Sequence, residues 1–150
     1  KKKVTRKKIE PAWFEKLLKK PWYRGTDASE KGVGVAYMGQ GFYVTWDKGI
    51  AEAFAQLSVE KTDDYPKKLH TYKIKPGLKL LDNMSKIMFD IKSDMGVSPW
   101  DKISTPSFAF YLTMEVKNAG YDGVIDDQAT NGMVLFDGSN AIKVDETEII

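Results

Sequence analysis

The segment YRGTDASEKGVGVAYMGQGFYVTWDKGIAEAFA, residues 23–55, contains an arginine–glycine pair, a glycine-spaced aromatic run and a helix start within one short span. Its first residues belong to WYRGT, which is aromatic and turns at its glycine, so we predict a strand there. The run GVAYMGQGFYVT at 34–45 predicts a loop that enters a strand at Phe42–Thr45. Asp47 is suited to cap a helix over 48–61, where apolar residues recur at helical spacing.

The rest of the chain alternates between amphipathic helical patterns and short strand patterns. Helices are predicted for EPAWFEKLLKK before Pro21, for SKIMFDIKSDM, and for TPSFAFYLTMEVKNAG with Thr105 as N-cap and Gly120 at its C-terminal end. Strands are predicted for KLHTYKIK, LKLLD, YDGVI, GMVLFD and AIKV, with turn residues between them. Strands at both ends with helices between them are typical of an α+β fold, and 150 residues suit a single domain.

The composition excludes several classes of protein. There is no cysteine, so disulfide frameworks, thiolate nucleophiles and cysteine zinc sites are excluded. No apolar run approaches the roughly 18 residues of a membrane span, and the basic start is not followed by the apolar core of a signal peptide. We therefore expect a cytoplasmic protein that makes no use of a membrane.

The basic charge is concentrated at the start of the chain. The run KKKVTRKK has six basic residues, and removing them from a net charge of +2 leaves −4 for the remainder. We predict that residues 1–10 form a flexible basic leader and that residues 11–150 form the domain. A nucleic-acid-binding arm from Lys1 to Lys8 and an ordinary solvated terminus are both open explanations of this leader.

Two common kinds of active site are excluded by residue type. His70 is the one histidine in the chain and lies within a predicted strand, so a histidine triad or a histidine metal site would lack its partners. We expect no metal.

The glycine-rich run GVGVAYMGQG neither follows a clear strand nor opens a helix, which argues against a dinucleotide-binding fingerprint. No P-loop motif is present either.

Four segments, taken together and in order, resemble the ADP-ribosyltransferase superfamily, above all its small members encoded by phages and mobile elements. They are YRGT, GQGFYVTWDKGIAEAFA, GYDGVI and MVLFDGSNAIKV, and the resemblance covers residues 22–60 and 119–145. In that superfamily a first strand has His-Gly or Arg-Gly, a second motif contains a glycine-spaced Tyr, and a third strand has a catalytic acid. The resemblance implies a split antiparallel sheet with flanking helices in one domain.

The resemblance also implies a chemistry that suits these residues. Enzymes of this superfamily break the bond between nicotinamide and ribose in NAD⁺ through an oxocarbenium-like transition state, as in glycoside hydrolysis. NAD⁺ is then a substrate and not a hydride carrier, so no Rossmann motif is required. The site must hold a pyrophosphate, clamp the nicotinamide and place a carboxylate near the ribose.

The resemblance assigns the binding residues by position. Arg24 would bind phosphate or ribose oxygens, the main chain of Gly25 would bind the nicotinamide amide, and Tyr43 would stack on the nicotinamide ring. Further positions assigned to NAD⁺ binding are Thr26, Gly41, Phe42, Thr45 and Phe54. Ordinary explanations stay open beside these roles: a surface arginine, a turn glycine, and core packing for the aromatic residues.

The catalytic acid is the point where the chain departs from the pattern. Gly132 occupies the position of the usual glutamate, so we place the acid in the preceding IDDQATNG segment, at Asp127 or, second, Asp126. Gln128 is a weaker possibility because an amide is uncharged, and a plain polar turn also explains the two aspartates. Asp122 matches a family position that looks structural.

The sequence thus favours a mono-ADP-ribosyltransferase that modifies a protein target. The resemblance implies a toxin-like phage effector with an anti-host or anti-defence role in the host cytoplasm. A catalytically inactive binding module and a transferase that acts on nucleic acid are the alternatives. Residues 83–118 would form either a helical cover over the cleft or a target-binding face.

Overall fold

The computed structural model describes residues 12–26, 34–36, 38–57, 68–98, 103, 105–126 and 131–148. The described helices are α1 (Ala12–Leu18), α2 (Lys48–Leu57), α3 (Lys86–Asp94) and α4 (Pro106–Asn118). The described strands are β1 (Trp22–Thr26), β2 (Gly34–Ala36), β3 (Gly39–Thr45), β4 (Lys68–Ile74), β5 (Leu80–Asp82), β6 (Gly123–Asp126), β7 (Gly132–Leu135) and β8 (Ala141–Glu148). A 3₁₀ turn at Gly138–Asn140 lies between β7 and β8.

Seven of the strands form one mixed sheet in the order β5-β6-β7-β3-β1-β4-β8, and β2 pairs with β3 outside this order. The α+β prediction is confirmed. The expectation of an antiparallel sheet is wrong for one pair of strands, because β5 and β6 run parallel. Both α3 and α4 lie between these two strands in the chain, and a crossover of that length returns the chain in the same direction.

The sheet consists of two halves that meet at a narrow junction. Among the described residues, β1 and β3 are in register at Tyr23 and Thr45 alone. By contrast, β1 pairs with β4 along its whole length, and β3 pairs with β7 from Phe42 to Thr45. The halves β5-β6-β7-β3 and β1-β4-β8 therefore separate beyond the Tyr23–Thr45 pair.

The two faces of the sheet have separate hydrophobic clusters, because successive strand residues point to opposite faces. On one face, here called the α4 face, α3 and α4 supply buried residues; the cluster comprises Met38, Leu81, Met88, Phe108, Leu112, Val116, Val124 and Val134. On the other, the α1 face, Leu17 and Leu18 of α1 pack against Trp22, Val44, Tyr72, Ile74, Leu78, Leu80, Ile125, Met133 and Leu135. The sheet is thus covered by helices on both sides.

Three predicted helix ends, at Asp47, Thr105 and Gly120, are confirmed, whereas the predicted end of α2 at residue 61 lies outside the described residues. The Ile50 amide donates to Asp47 Oδ1 at 3.2 Å, and the Phe108 amide donates to Thr105 Oγ1 at 3.3 Å. Gly120, just after α4, has a φ of +90°, which an L side chain rarely adopts. Ser85 caps α3 through the Met88 amide, which the sequence pattern had not singled out.

The prediction of a loop before Phe42 is wrong. Residues 34–36 form β2, and β3 already begins at Gly39, so this segment is a hairpin. Glycine has a low strand propensity, which is why the sequence favours a loop. Here close packing requires glycine: a Cβ at Gly41 would lie 2.5 Å from the Leu135 carbonyl oxygen, and one at Gly39 would lie 2.6 Å from Thr113 Oγ1.

Candidate functional site

Arg24 lies where the two halves of the sheet separate. Its Nη1 donates a 2.7 Å hydrogen bond to the backbone carbonyl of Tyr43 on β3, although β1 and β3 share no register pair at this level. Its guanidinium carbon is 4.7 Å from the centroid of the Phe42 ring, a cation–π distance. The Arg24 guanidinium therefore places a positive charge at the split and joins the two halves of the sheet by a side-chain hydrogen bond.

Tyr43 projects to the opposite face from Arg24. Its ring packs on the cluster of the α4 face, and its hydroxyl donates to the Gly39 carbonyl, back along the same strand. Phe42, next to it in the chain, packs on the α1 face and makes an edge-to-face contact with Tyr72 at 5.1 Å. The structure thus brings Arg24 to the backbone of Tyr43 and not to its ring.

Gly25 lies against helix α2. A Cβ at this position would overlap the Ala51 carbonyl oxygen and come within 2.8 Å of the Ala55 Cβ. The requirement for glycine is explained by this close helix–strand packing. Thr26 ends β1 and Phe54 lies within α2, but the side chains of these two predicted site residues lie outside the described part of the chain.

Thr45 joins three segments at the end of β3. Its side chain is 6% exposed, and its Oγ1 donates to the Asn131 carbonyl at 2.6 Å while accepting from the Asp47 amide at 3.1 Å. The Trp46 amide donates to the same Asn131 carbonyl at 3.1 Å. Thr45 therefore fixes the end of β3 to the residue before β7 and to the N-cap of α2.

Asp126 is the candidate acid that the structure describes. It is the last residue of β6, it is 2% exposed, and it lies opposite Gly132, the position where the resemblance places the acid. Gly132 in turn lies opposite Thr45. Asp127, which the sequence favoured, and Gln128 lie outside the described residues. Asp122 has the expected structural role, because its Oδ2 accepts from the Lys79 amide at 2.7 Å.

Asn83 belongs to this region and was missed by the sequence reasoning. It follows β5, and its amide donates to the Ile125 carbonyl at 2.9 Å, which extends the parallel ladder and places Asn83 next to Asp126. Asn83 is 7% exposed, and its Oδ1 has no hydrogen-bond partner within the described part of the chain. An Asn after a strand is also an ordinary turn residue, so nothing in the local sequence distinguishes Asn83.

We call Asn83, Asp126, Gly132 and Thr45 the polar row, since they follow one another across neighbouring strands at one end of the sheet. Three of them are buried polar side chains, and the fourth has no side chain. Thr45 is held by backbone partners, whereas Asn83 Oδ1 is the buried side-chain atom of the row that has no hydrogen-bond partner within the described residues.

An ionic cluster on the α1 face lies across β4 and β8. The Glu146 carboxylate accepts from Lys68 and Lys143 at 3.1 Å each, and its Oε1 lies 3.2 Å from His70 Nδ1. Burial lowers the pKa of His70 below 6.5, with Lys143, Lys68 and Arg24 acting in the same direction and Glu146 opposing them. Burial therefore favours the neutral imidazole, and His70 lies on a partly covered strand face.

Among residues 12–26, 34–36, 38–57 and the later described ranges, no three His, Asp or Glu side chains are grouped so that they could hold a metal ion. None of the described helices is both long enough and apolar enough to cross a membrane. In comparisons with protein-family models, curated proteins and solved structures, nothing matches this chain.

Proposed function

We propose that this protein is an NAD⁺-dependent mono-ADP-ribosyltransferase that transfers ADP-ribose to a protein target. One observation supports this most strongly. Three of the four segments that resemble the superfamily form the neighbouring strands β1, β3 and β7, although β7 is far from the other two in the chain. The split between β1 and β3 falls between the first two motifs, which agrees with the split sheet that the resemblance implies.

Arg24 is suited to the pyrophosphate of NAD⁺. It lies at the split, and the guanidinium hydrogen-bonds a neutral carbonyl there. A hydrogen bond between two charged groups is roughly twice as strong as a neutral one, so a phosphate oxygen would displace the Tyr43 carbonyl as acceptor. A guanidinium also presents two parallel N–H groups to a phosphate, which the lysine ammonium does not.

The reaction requires little covalent chemistry from the protein. The bond between C1′ and the nicotinamide nitrogen breaks with its electron pair going to nicotinamide, which leaves as a neutral molecule. Positive charge spreads over C1′ and the ring oxygen, and the acceptor's lone pair then forms the new bond to C1′ while its proton passes to solvent. The catalytic demand is electrostatic stabilisation of the cation, together with exclusion of competing water.

The test is release of nicotinamide from NAD⁺ by the purified protein, with a cell lysate as the source of target. We expect Arg24→Ala to lower kcat/KM by at least 10-fold, and Arg24→Lys to recover part of the loss, because the charge returns without the two-pronged geometry. Lys143→Ala is the matched control, since it removes an exposed cation from the same face. Equal activity of Arg24→Ala and the wild type would contradict the assignment of Arg24.

A second candidate, an inactive module that binds NAD⁺, is favoured by Gly132, because glycine at the usual acid position cannot stabilise a cation. Calorimetry distinguishes the two functions: NAD⁺ binding without any nicotinamide release identifies the module.

Deleting residues 1–8 separates a protein target from a nucleic-acid target. A nucleic-acid modifier would lose activity on deletion and show a steep salt dependence before it.

A further inference from the structure

Helix α4 is apolar on both of its sides. Its inner side packs against the sheet. The residues buried there are Phe108, Ala109, Leu112 and Val116. Its outer side presents three large side chains to solvent: Phe110 is 50% exposed, Tyr111 is 59% exposed and Met114 is 43% exposed. At about 100° per residue, these three positions lie within a single arc of about 100° around the helix axis. We call these three residues the outer patch. A helix that is apolar all round is normally covered on all sides.

Helix α3 shows the arrangement that contact with solvent normally imposes. Its exposed residues are polar or charged, namely Lys86, Asp90, Ser93 and Asp94. Lys86 and Asp90 form an ion pair one turn apart, with 3.1 Å between Nζ and Oδ2. The two helices contribute to the same hydrophobic cluster on the same face of the sheet. The outer patch is therefore a property of α4 and not of the helical layer as a whole.

The outer patch is held in place by contacts within the chain. The rings of Phe110 and Tyr111 meet edge to face, with 5.5 Å between their centroids. Beside them, Thr113 Oγ1 accepts a 2.8 Å hydrogen bond from the Gln40 amide, which fixes α4 to strand β3. Aromatic residues and methionine are enriched, and charged residues depleted, at the centres of protein interfaces. An exposed apolar patch of this composition is typical of a protein-binding surface.

The area of the outer patch suits a second copy of this chain. Aromatic side chains bury roughly 150–250 Å² each, so the exposed fractions of the three side chains amount to about 300 Å². Two copies that cover each other's patch would bury about 600 Å² of apolar surface. Apolar atoms make up about 60% of an interface, so the whole contact would bury about 1,000 Å². That area lies at the lower limit for a specific interface and is enough for a weak, reversible dimer.

The charges and the layout of the helix also suit a second copy. None of the three patch residues is charged at neutral pH, and the net charge of the chain is only +2, so repulsion between two copies is weak. Ser107 and Asn118 are exposed polar residues near the two ends of α4. In an antiparallel pair of helices, Ser107 of one copy lies near Asn118 of the other, and the patch lies between two polar rims. This layout is self-complementary, as a two-fold dimer requires.

Exposed apolar residues are also found on the edge strand β8. Ile142 and Val144 are 48% and 59% exposed, and β8 ends the order of the sheet. However, three of the last four residues of β8 are acidic, and its register with β4 shifts beside Thr71. Charges and bulges are the features by which proteins prevent edge strands from pairing. We therefore assign the contact between copies to α4 rather than to β8.

We propose that the outer side of α4 is a dimer interface, at which two copies of this chain pack α4 against α4, antiparallel, about a two-fold axis. Tyr111 of one copy then faces Met114 of the second copy. The Arg24 guanidinium packs on Phe42, which belongs to the α1 face, so the dimer leaves the split of both copies open. The inference therefore goes beyond the proposed function and does not depend on it.

The first measurement is sedimentation velocity of the full chain at concentrations from about 5 to about 500 μM. We expect the weight-average mass to rise from that of the monomer towards that of the dimer, with a Kd weaker than about 1 μM for so small an interface. A wild type that stays monomeric at every concentration would overturn the inference and leave the outer patch to a different protein.

Paired charge variants test the interface itself. Tyr111→Lys with Met114→Lys places lysines on the patch, and Tyr111→Glu with Met114→Glu places glutamates there. Each double variant alone brings like charges together and should weaken dimerisation at least 10-fold, whereas an equimolar mixture should recover the dimer, because opposite charges then meet. Both positions are exposed, and lysine and glutamate are good helix formers, so circular dichroism should show unchanged folding. A mixture that stays monomeric would contradict the two-fold contact between the patches.

Ile142→Ala with Val144→Ala is the matched control, since it removes exposed apolar surface from β8 instead. We expect this variant to dimerise like the wild type. Loss of the dimer in this variant, with no effect of the charges on α4, would place the interface on β8 and overturn the inference. None of these measurements uses NAD⁺, so the dimer and the proposed function can fail independently of each other.

Discussion

The two faces of the sheet hold their polar groups in different ways. On the α1 face, Glu146 satisfies Lys68 and Lys143 at once, and all three side chains are at least 36% exposed. On the α4 face, Asn83 and Asp126 are buried side by side. Exposed ion pairs contribute little to stability and cost little to lose, whereas burying polar groups is expensive. The difference teaches that the α1 face holds its charges at the surface, whereas the α4 face buries polar groups at a cost in free energy.

The largest expected effect on stability comes from Gly25 on the α4 face. Gly25→Ala places a methyl group where the backbone of α2 already stands, and the helix must shift to accommodate it. We expect a loss of about 3 kcal/mol in the free energy of unfolding. Chemical denaturation measured by circular dichroism provides the value.

Gly138→Ala is the matched control for that experiment. A Cβ at Gly138 meets only the side chain of Phe42, at an ordinary 3.5 Å. We expect a change within about 0.5 kcal/mol. Equal losses in the two variants would mean that α2 does not pack against β1 as described.

The next effect concerns Thr45, within the polar row. Thr45→Val removes the hydroxyl that bonds Asn131 and Asp47, and leaves their backbone groups without this partner. We expect a loss of about 1–3 kcal/mol in the free energy of unfolding.

The control lies in the same register line across the sheet. Thr71 on β4 pairs with Tyr23, and Tyr23 pairs with Thr45. We expect Thr71→Val to be neutral or slightly stabilising, because valine suits a strand and the described residues make no side-chain hydrogen bond to Thr71 like those of Thr45. A neutral result for Thr45→Val as well would contradict the role of Thr45 in joining the segments.

Much of the fold follows from local sequence signals. Asp47, Thr105 and Gly120 each end or begin a helix as predicted, because capping depends on a few neighbouring residues. The hairpin at 34–45 was missed because its glycines are required by distant contacts with Thr113 and Leu135. The parallel pairing of β5 with β6 likewise depends on tertiary structure.

The candidate site could be predicted in part. The resemblance selected Arg24 and Tyr43. The Arg24 side chain reaches the Tyr43 backbone at the split, but alternation along the strands puts the two side chains on opposite faces. Asn83 could not be found from sequence, since its meaning depends on a neighbour 43 residues later, Asp126. The register between strands depends on how distant segments pair, so no single segment of sequence predicts it.

The smallest effect is a pH dependence from the α1 face. Burial lowers the pKa of His70 below 6.5, so the unfolded chain binds this proton more readily than the folded one. The contribution of His70 to the free energy of unfolding is therefore fully present above about pH 6.5. It declines as the pH falls from there towards the lowered pKa of the folded state. We expect a loss of at most about 1 kcal/mol between about pH 7.5 and 5.

The measurement is simple because the chain has one histidine. The single imidazole signal in an NMR titration should have its midpoint below 6.5, and His70→Gln should remove the stability change over this interval. The lowered pKa of Glu146 affects stability only at lower pH, below its ordinary value of 4.5. A midpoint at or above 6.5 would show that Glu146 outweighs burial.

The most direct test of the proposed function is nicotinamide release from NAD⁺ by wild type and Arg24→Ala, quantified by chromatography together with label transfer to lysate proteins. We predict release and transfer by the wild type and a fall of at least 10-fold for Arg24→Ala. A wild-type protein that folds, yet neither releases nicotinamide nor binds NAD⁺, would contradict the proposed function.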